Sequence, residues 1–173
     1  EAFRLGGYAL VELKAFDQLA ETVLDDEGQP ILWWWPVAYA LGQTGDPRAL
    51  SALETLAGVQ GSVGVSLAAR GLGRLDDVRA IGSLEALLDL DRRDRNVVTA
   101  AVQALAEIDA SEAAAALDRF VRIRRLDQHL RLIAVNALSQ QNSMASVEVF
   151  IELLDHPWPF LRAASFRALA RTD

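Results

Sequence analysis

A chain of 173 residues is long enough for one domain with its own core, and its 51% hydrophobic content with only 5 prolines speaks against disorder. It has no cysteine, which excludes disulfides, thiol nucleophiles and thiolate metal sites. The formal net charge of −7 works against general attraction to nucleic acids or anionic membranes.

Residues 2–24 read as helix, with Leu10, Leu13, Phe16, Leu19 and Val23 on one stripe. Asp25, Asp26 and Glu27 follow before Gly28, at a helix C-terminus where the macrodipole disfavours acids. Pro30 is expected to open a helix from Ile31 to about Gly42. That puts Trp33 towards the core and turns Trp34 and Trp35 elsewhere, because consecutive helical residues lie about 100° apart. Pro36 would either kink this helix or shorten it to begin there. Gly45-Asp46-Pro47 reads as a helix stop, an N-cap and a first helical position, opening a helix to about Ala57. Ser62 is expected to cap a helix to Gly73, Asp76 or Asp77 one to Leu90, and Asp94 one to about Glu107. Ser111 starts the next, which ends among Arg122, Arg124 and Arg125. Asp127 caps one to Ser139, Asn142 or Ser143 one to Asp155, and Pro157 with Pro159 open the last, ending at Arg171.

These elements repeat. Leu41, Leu72, Leu105, Leu138 and Leu169 each end an apolar helical pattern, at spacings of 31, 33, 33 and 31. Counting from each such anchor, apolar positions recur nine, twelve and fifteen residues later, as in Leu50, Leu53 and Leu56. They recur eight and three residues earlier, as in Val97 and Val102. Steps of three and four are a helix face, so each unit is a helical hairpin. The approximate units are 1–42, 43–73, 74–106, 107–139 and 140–173, within a single repeat domain. No apolar run approaches the roughly 18 residues that cross a bilayer, and no signal peptide is visible; the lack of cysteine fits a cytoplasmic location, which is the expectation. The chain starts at Glu1 and stops where another turn would begin, which is expected of a fragment of a longer array.

Residues 40–58, ALGQTGDPRALSALETLAG, and 153–169, LLDHPWPFLRAASFRAL, resemble HEAT repeats, in particular the short bacterial HEAT-like repeats of the phycobilisome-lyase type. The resemblance extends well over 31–173 and loosely over 1–30. The family's arginine after valine corresponds to Arg131 and Arg162, while Trp34, Val65 and Val98 stand there in the other units. The resemblance implies an all-α fold, a right-handed α-solenoid of about five hairpins. First helices would be convex, second helices concave, and the concave face the usual binding face. It says little about activity, since many functions share the scaffold.

Two rows on the second helices fall outside the apolar pattern. Two residues before each anchor stand Tyr39, Arg70, Gln103, Asn136 and Arg167; six before stand Trp35, Ser66, Thr99, Leu132 and Ala163. They are expected to line the concave groove. A plain solvated face accounts for the polar row equally simply. The sharper expectation is a protein or peptide site formed by Trp34, Trp35, Tyr39, Arg70, Gln103, Arg131, Asn136, Arg162 and Arg167, since aromatic and arginine side chains are favoured anchors. Packing inside the fold is the competing account of Trp34 and Trp35. Arginines at 92–95 and 119–125, interleaved with aspartates, suggest salt-linked loops.

No catalytic residue, metal ligand or cofactor is expected. His129 and His156 belong to different units and to no HExxH pattern, and there is no GxSxG or P-loop. HEAT-type hydroxylases hold iron with His-Glu pairs, absent here, and HEAT-like DNA glycosylases use a basic groove with an acid that neither row supplies. A scaffold binding a protein partner is therefore the expectation, with nucleic acid and membrane disfavoured and the oligomeric state open. A lyase-like or glycosylase-like enzyme and a structural spacer are the alternatives.

Overall fold

The computed structural model describes residue 11 and residues 15–59, 61–89, 94–141 and 146–171. Among these its regular structure is all helical, apart from an isolated bridge between Leu24 and Pro30. The α-helices are α1 (Phe16–Val23), α2 (Trp35–Thr44), α3 (Leu50–Ala57), α4 (Ser62–Arg74), α5 (Ile81–Ala86), α6 (Arg95–Glu107), α7 (Ser111–Val121), α8 (Gln128–Leu138), α9 (Val147–Leu153) and α10 (Pro159–Leu169). Short 3₁₀ turns, Pro47–Ala49 and Val78–Ala80, lead into α3 and α5.

The caps follow from side-chain chemistry. Asp46, Asp77 and Asp94 each accept the backbone N–H two residues on, and Asp127 accepts those of His129 and Leu130. Gly45 takes the left-handed φ of 64° that ends α2. Asp77 is thus the cap; Asp76 accepts the N–H of Asp109, one unit further along, at 2.8 Å. The acids after α1 also find their use. Asp25 accepts the N–H groups of Glu27 and Gln29, so its carboxylate closes a turn.

Several expectations are corrected. The helix expected from Ile31 begins at Trp35, with Pro36 in its first turn, and Ile31–Trp34 is not helical. The bridge holds Pro30 in extended backbone, with the Ile31 N–H donating to the Val23 carbonyl, so of the two prolines it is Pro36 that starts the helix. Trp33 consequently misses the core and is 58% exposed. Ser62 is the first residue of α4, not its cap, and α5 stops at Ala86. The expected helix end at Leu90, the expected caps Asn142 and Ser143, and residues 2–10 and 12–14, with Leu10 and Leu13 of the stripe, lie outside the described residues.

Helices pack in neighbouring pairs: α1 on α2, α3 on α4, α5 on α6, α7 on α8 and α9 on α10. The even-numbered helices then stack in sequence order, α2 on α4, α4 on α6, α6 on α8 and α8 on α10. The odd-numbered helices lie in a second layer, and the core fills the space between. Leu41, Leu72, Leu105 and Leu138 are fully buried in it, as are Leu53, Leu84 and Leu117. Small residues set the spacing of the even layer. A Cβ on Gly42 would stand 2.7 Å from the Gly71 Cα, and one on Gly73 would stand 2.6 Å from the Ala104 Cα. Both are the residue after an anchor meeting the residue before the next one.

Polar links cross between neighbouring units at about one unit of sequence. Arg48 pairs with Asp17 at 2.7 Å, Arg122 with Glu152 at 2.7 Å, and Arg119 with Glu85. The Gln141 amide donates to the carbonyls of Leu105, Ala106 and Ile108, covering the C-terminal end of α6. One apolar position breaks ranks. Ala38, Ala69, Val102 and Val135, three before their anchors, are fully buried, whereas Phe166 at the same place in α10 is 67% exposed. Each buried one stands on a helix against which a further even-numbered helix packs, and α10 has none packed beyond it among the described residues.

Candidate functional site

The face of the even-numbered layer is built from the row two residues before each anchor. Arg70, Gln103 and Asn136 are exposed there and together line a cleft of about 430 Å³ across α4, α6 and α8, with Arg74, Glu107 and Gln140 around them. Tyr39 lines a smaller hollow of about 70 Å³ between α2 and α4, with Gln43, and Arg70 and Arg74 border both spaces. Four members of the expected row therefore share one continuous surface. Arg167 continues the row on α10, exposed, beyond the residues that line the cleft.

The other named residues lie elsewhere. The Arg131 guanidinium donates to the carbonyls of Val121 and Ile123, and that of Arg162 donates to those of His156 and Pro157. In both hairpins the arginine clamps the loop between its two helices by donating to main-chain carbonyls there. These two of the arginines expected on the concave face are thus committed to the fold. His156 sits between them; it accepts the Trp158 N–H at Nδ1, and burial together with Arg131 and Arg162 pushes its pKa down.

Trp34 and Trp35, 45% and 37% exposed, belong to a separate apolar cleft of about 450 Å³ with Trp33, Leu56, Val59, Val63 and Gly64. It lies where Ile31–Trp34 meets the loop between α3 and α4. Trp35 therefore joins this cleft instead of the hollow that holds Tyr39. The expected salt links form only in part: Arg95 pairs with Asp127, Arg119 with Glu85, and Arg122 with Asp118 and Glu152, whereas Arg124 and Arg125 form no ion pair among the described residues. Arg92 and Arg93 lie outside the described residues.

The two rows omitted one group, Glu107. It stands two residues after its anchor, the place Arg74 occupies in the preceding unit, so it enters the cleft one turn beyond the polar row. Burial raises its pKa, against the pull of Arg74 and Arg70. Neither of those guanidiniums makes a hydrogen bond or ion pair among the described residues.

Charge is divided between the layers in a way the net value hides. The odd-numbered helices carry eight carboxylates (Asp17, Glu21, Glu54, Glu85, Glu112, Asp118, Glu148 and Glu152) and one arginine, Arg119. The even-numbered helices carry one carboxylate, Glu107, and six arginines: Arg70, Arg74, Arg95, Arg131, Arg162 and Arg167. The aspartates that cap α6 and α8 stand at their N-termini, at the edge of this layer. A repeat reading by anchors alone pools the two layers, which is why the sequence shows only the sum.

No helix among the described residues is long and apolar enough to cross a membrane. No curated protein matches the chain closely enough to serve as a relative. The family model described as PBS lyase HEAT-like repeat matches residues 37–57, which run from α2 through the Gly45-Asp46-Pro47 turn to the end of α3. With helix, turn and helix arranged there as that repeat requires, the chain carries a HEAT-like repeat, set in a fold of stacked helices.

Proposed function

We propose that the chain is a protein-interaction module. It forms a right-handed solenoid of about five HEAT-like hairpins and holds a partner on the concave face made by its even-numbered helices. One observation carries this reading: Arg70, Gln103 and Asn136, spaced one unit apart in sequence, line a single open cleft. Side chains repeated at that interval offer a partner regular contacts along the stack. A spacer would fill this space with its own side chains, and the cleft is open. An enzyme would need a partner for Glu107, and among the described residues neither a histidine nor a second carboxylate lines the cleft beside it.

Photo-crosslinking tests the proposal. A crosslinker at Gln103 is expected to capture a protein that one at Arg124, on the loop between α7 and α8, does not. Asn136→Trp, which fills the cleft, should abolish that capture. Equal capture from both positions, or capture untouched by Asn136→Trp, would refute the face as the binding site.

A further inference from the structure

We infer that the partner segment is acidic: a peptide stretch whose carboxylates sit on Arg70 and Arg74, with its main chain held by the amides of Gln103, Asn136 and Gln140. This inference rests on the proposed reading of the even-numbered face as the binding face.

Three observations carry it. The face belongs to the basic layer of a chain whose net charge is −7, so it is a local reversal of sign. Such a reversal steers an oppositely charged partner to one place and turns it away elsewhere. Next, the layer's arginines differ in what they already do. Arg131 and Arg162 hold loop carbonyls and Arg95 is paired with Asp127, whereas Arg70 and Arg74 have no such partner among the described residues and point at the same cleft. A guanidinium presents a planar fork of donors that a carboxylate matches. Finally, the cleft's other polar lining is mostly primary amide. Such groups donate and accept at once, as a peptide main chain does.

Nucleic acid fits this surface less well. Among the described residues, Arg70 and Arg74 are the only arginines that line the cleft, and Glu107 stands beside them, where a phosphate backbone would meet a like charge. Glu107 also gives the proposal an internal handle. It competes for Arg70 and Arg74, so removing its charge should favour an acidic ligand.

The test is fluorescence anisotropy with the intact chain and labelled peptides of about twelve residues: one rich in Asp and Glu, the same sequence with Asn and Gln, the same with Lys, and a single-stranded oligonucleotide. The acidic peptide is expected to bind at least about tenfold more tightly than the neutral one, and to weaken as salt rises from about 50 to about 500 mM. Arg70→Gln with Arg74→Gln should weaken it about tenfold. Glu107→Gln should tighten it a few-fold, and Arg124→Gln should leave it unchanged. Circular dichroism checks that each variant is folded. If the neutral peptide binds equally well and depends on Asn136 but not on the arginines, the acidic partner is wrong and the face survives. If the oligonucleotide binds best, the partner class is wrong. If no probe binds, both the inference and the binding face fall.

Discussion

Helices α6 and α10 carry the same pattern and meet different fates. Val102 in α6 and Phe166 in α10 each stand three residues before their anchor; the first is fully buried and the second 67% exposed. The residue after the α4 anchor, Gly73, lies against the next helix, whereas its counterpart Ala170, just past the end of α10, is exposed. Burial in a stack of repeats is thus conferred by the next helix, not by the helix that bears the residue. The unit alone cannot protect its own apolar face.

Substitutions made in parallel at the two places would test this most sharply. Val102→Asp puts an unpaired charge in the core and is expected to cost about 4 kcal/mol, enough to unfold much of the population in a urea titration; Phe166→Asp should shift stability by no more than about 0.5 kcal/mol. Equal costs would mean that α10 is covered as α6 is. Gly73→Leu collides with the α6 backbone and should lose about 3 kcal/mol, while Ala170→Leu should leave the melting temperature nearly unchanged.

Caps come next in size. Asp46→Ala and Asp77→Ala should each cost about 1 kcal/mol near neutral pH. Both carboxyls have pKa values pulled down, by Arg48 and Arg79 respectively, so this stability is present above the ordinary carboxylate range and disappears as pH falls through the lowered values. Thermal melts of mutant and parent should therefore converge in strong acid. His156 has its pKa lowered, so it resists a proton that the unfolded chain accepts. Stability should fall as pH drops below about 6.5, and His156→Gln should flatten that part of the profile. The smallest effect belongs to Glu107. With its pKa raised by burial, its charge is a slight burden once pH exceeds that value, so Glu107→Gln should raise the melting temperature a little at neutral pH and not at all in acid.

Most of the helical frame was legible because its signals are local. Asp46-Pro47, Asp94 and Asp127 cap as their spacing implies, and the anchors Leu41 to Leu138 are buried as their period requires. Ile31–Trp35 misled because two prolines competed to start one helix. The winner was decided by a bridge from Pro30 to Leu24, which periodicity does not reveal. In the candidate site, Tyr39, Arg70, Gln103 and Asn136 came from register alone. Arg131 and Arg162 were misplaced because a resemblance marks a position, while the bonds to loop carbonyls depend on how the hairpin closes. Glu107 was overlooked because it enters the cleft from outside both rows.

The polar links between units have a mechanical meaning. Asp17 to Arg48, Asp76 to Asp109, Glu85 to Arg119 and Arg122 to Glu152 each join residues 30 to 34 apart in sequence. None of them ties one end of the chain to the other. Under tension along its length, such a chain would yield piece by piece. Each break would release about 30 residues, or about 100 Å of slack, and the pieces still folded would keep their neighbours.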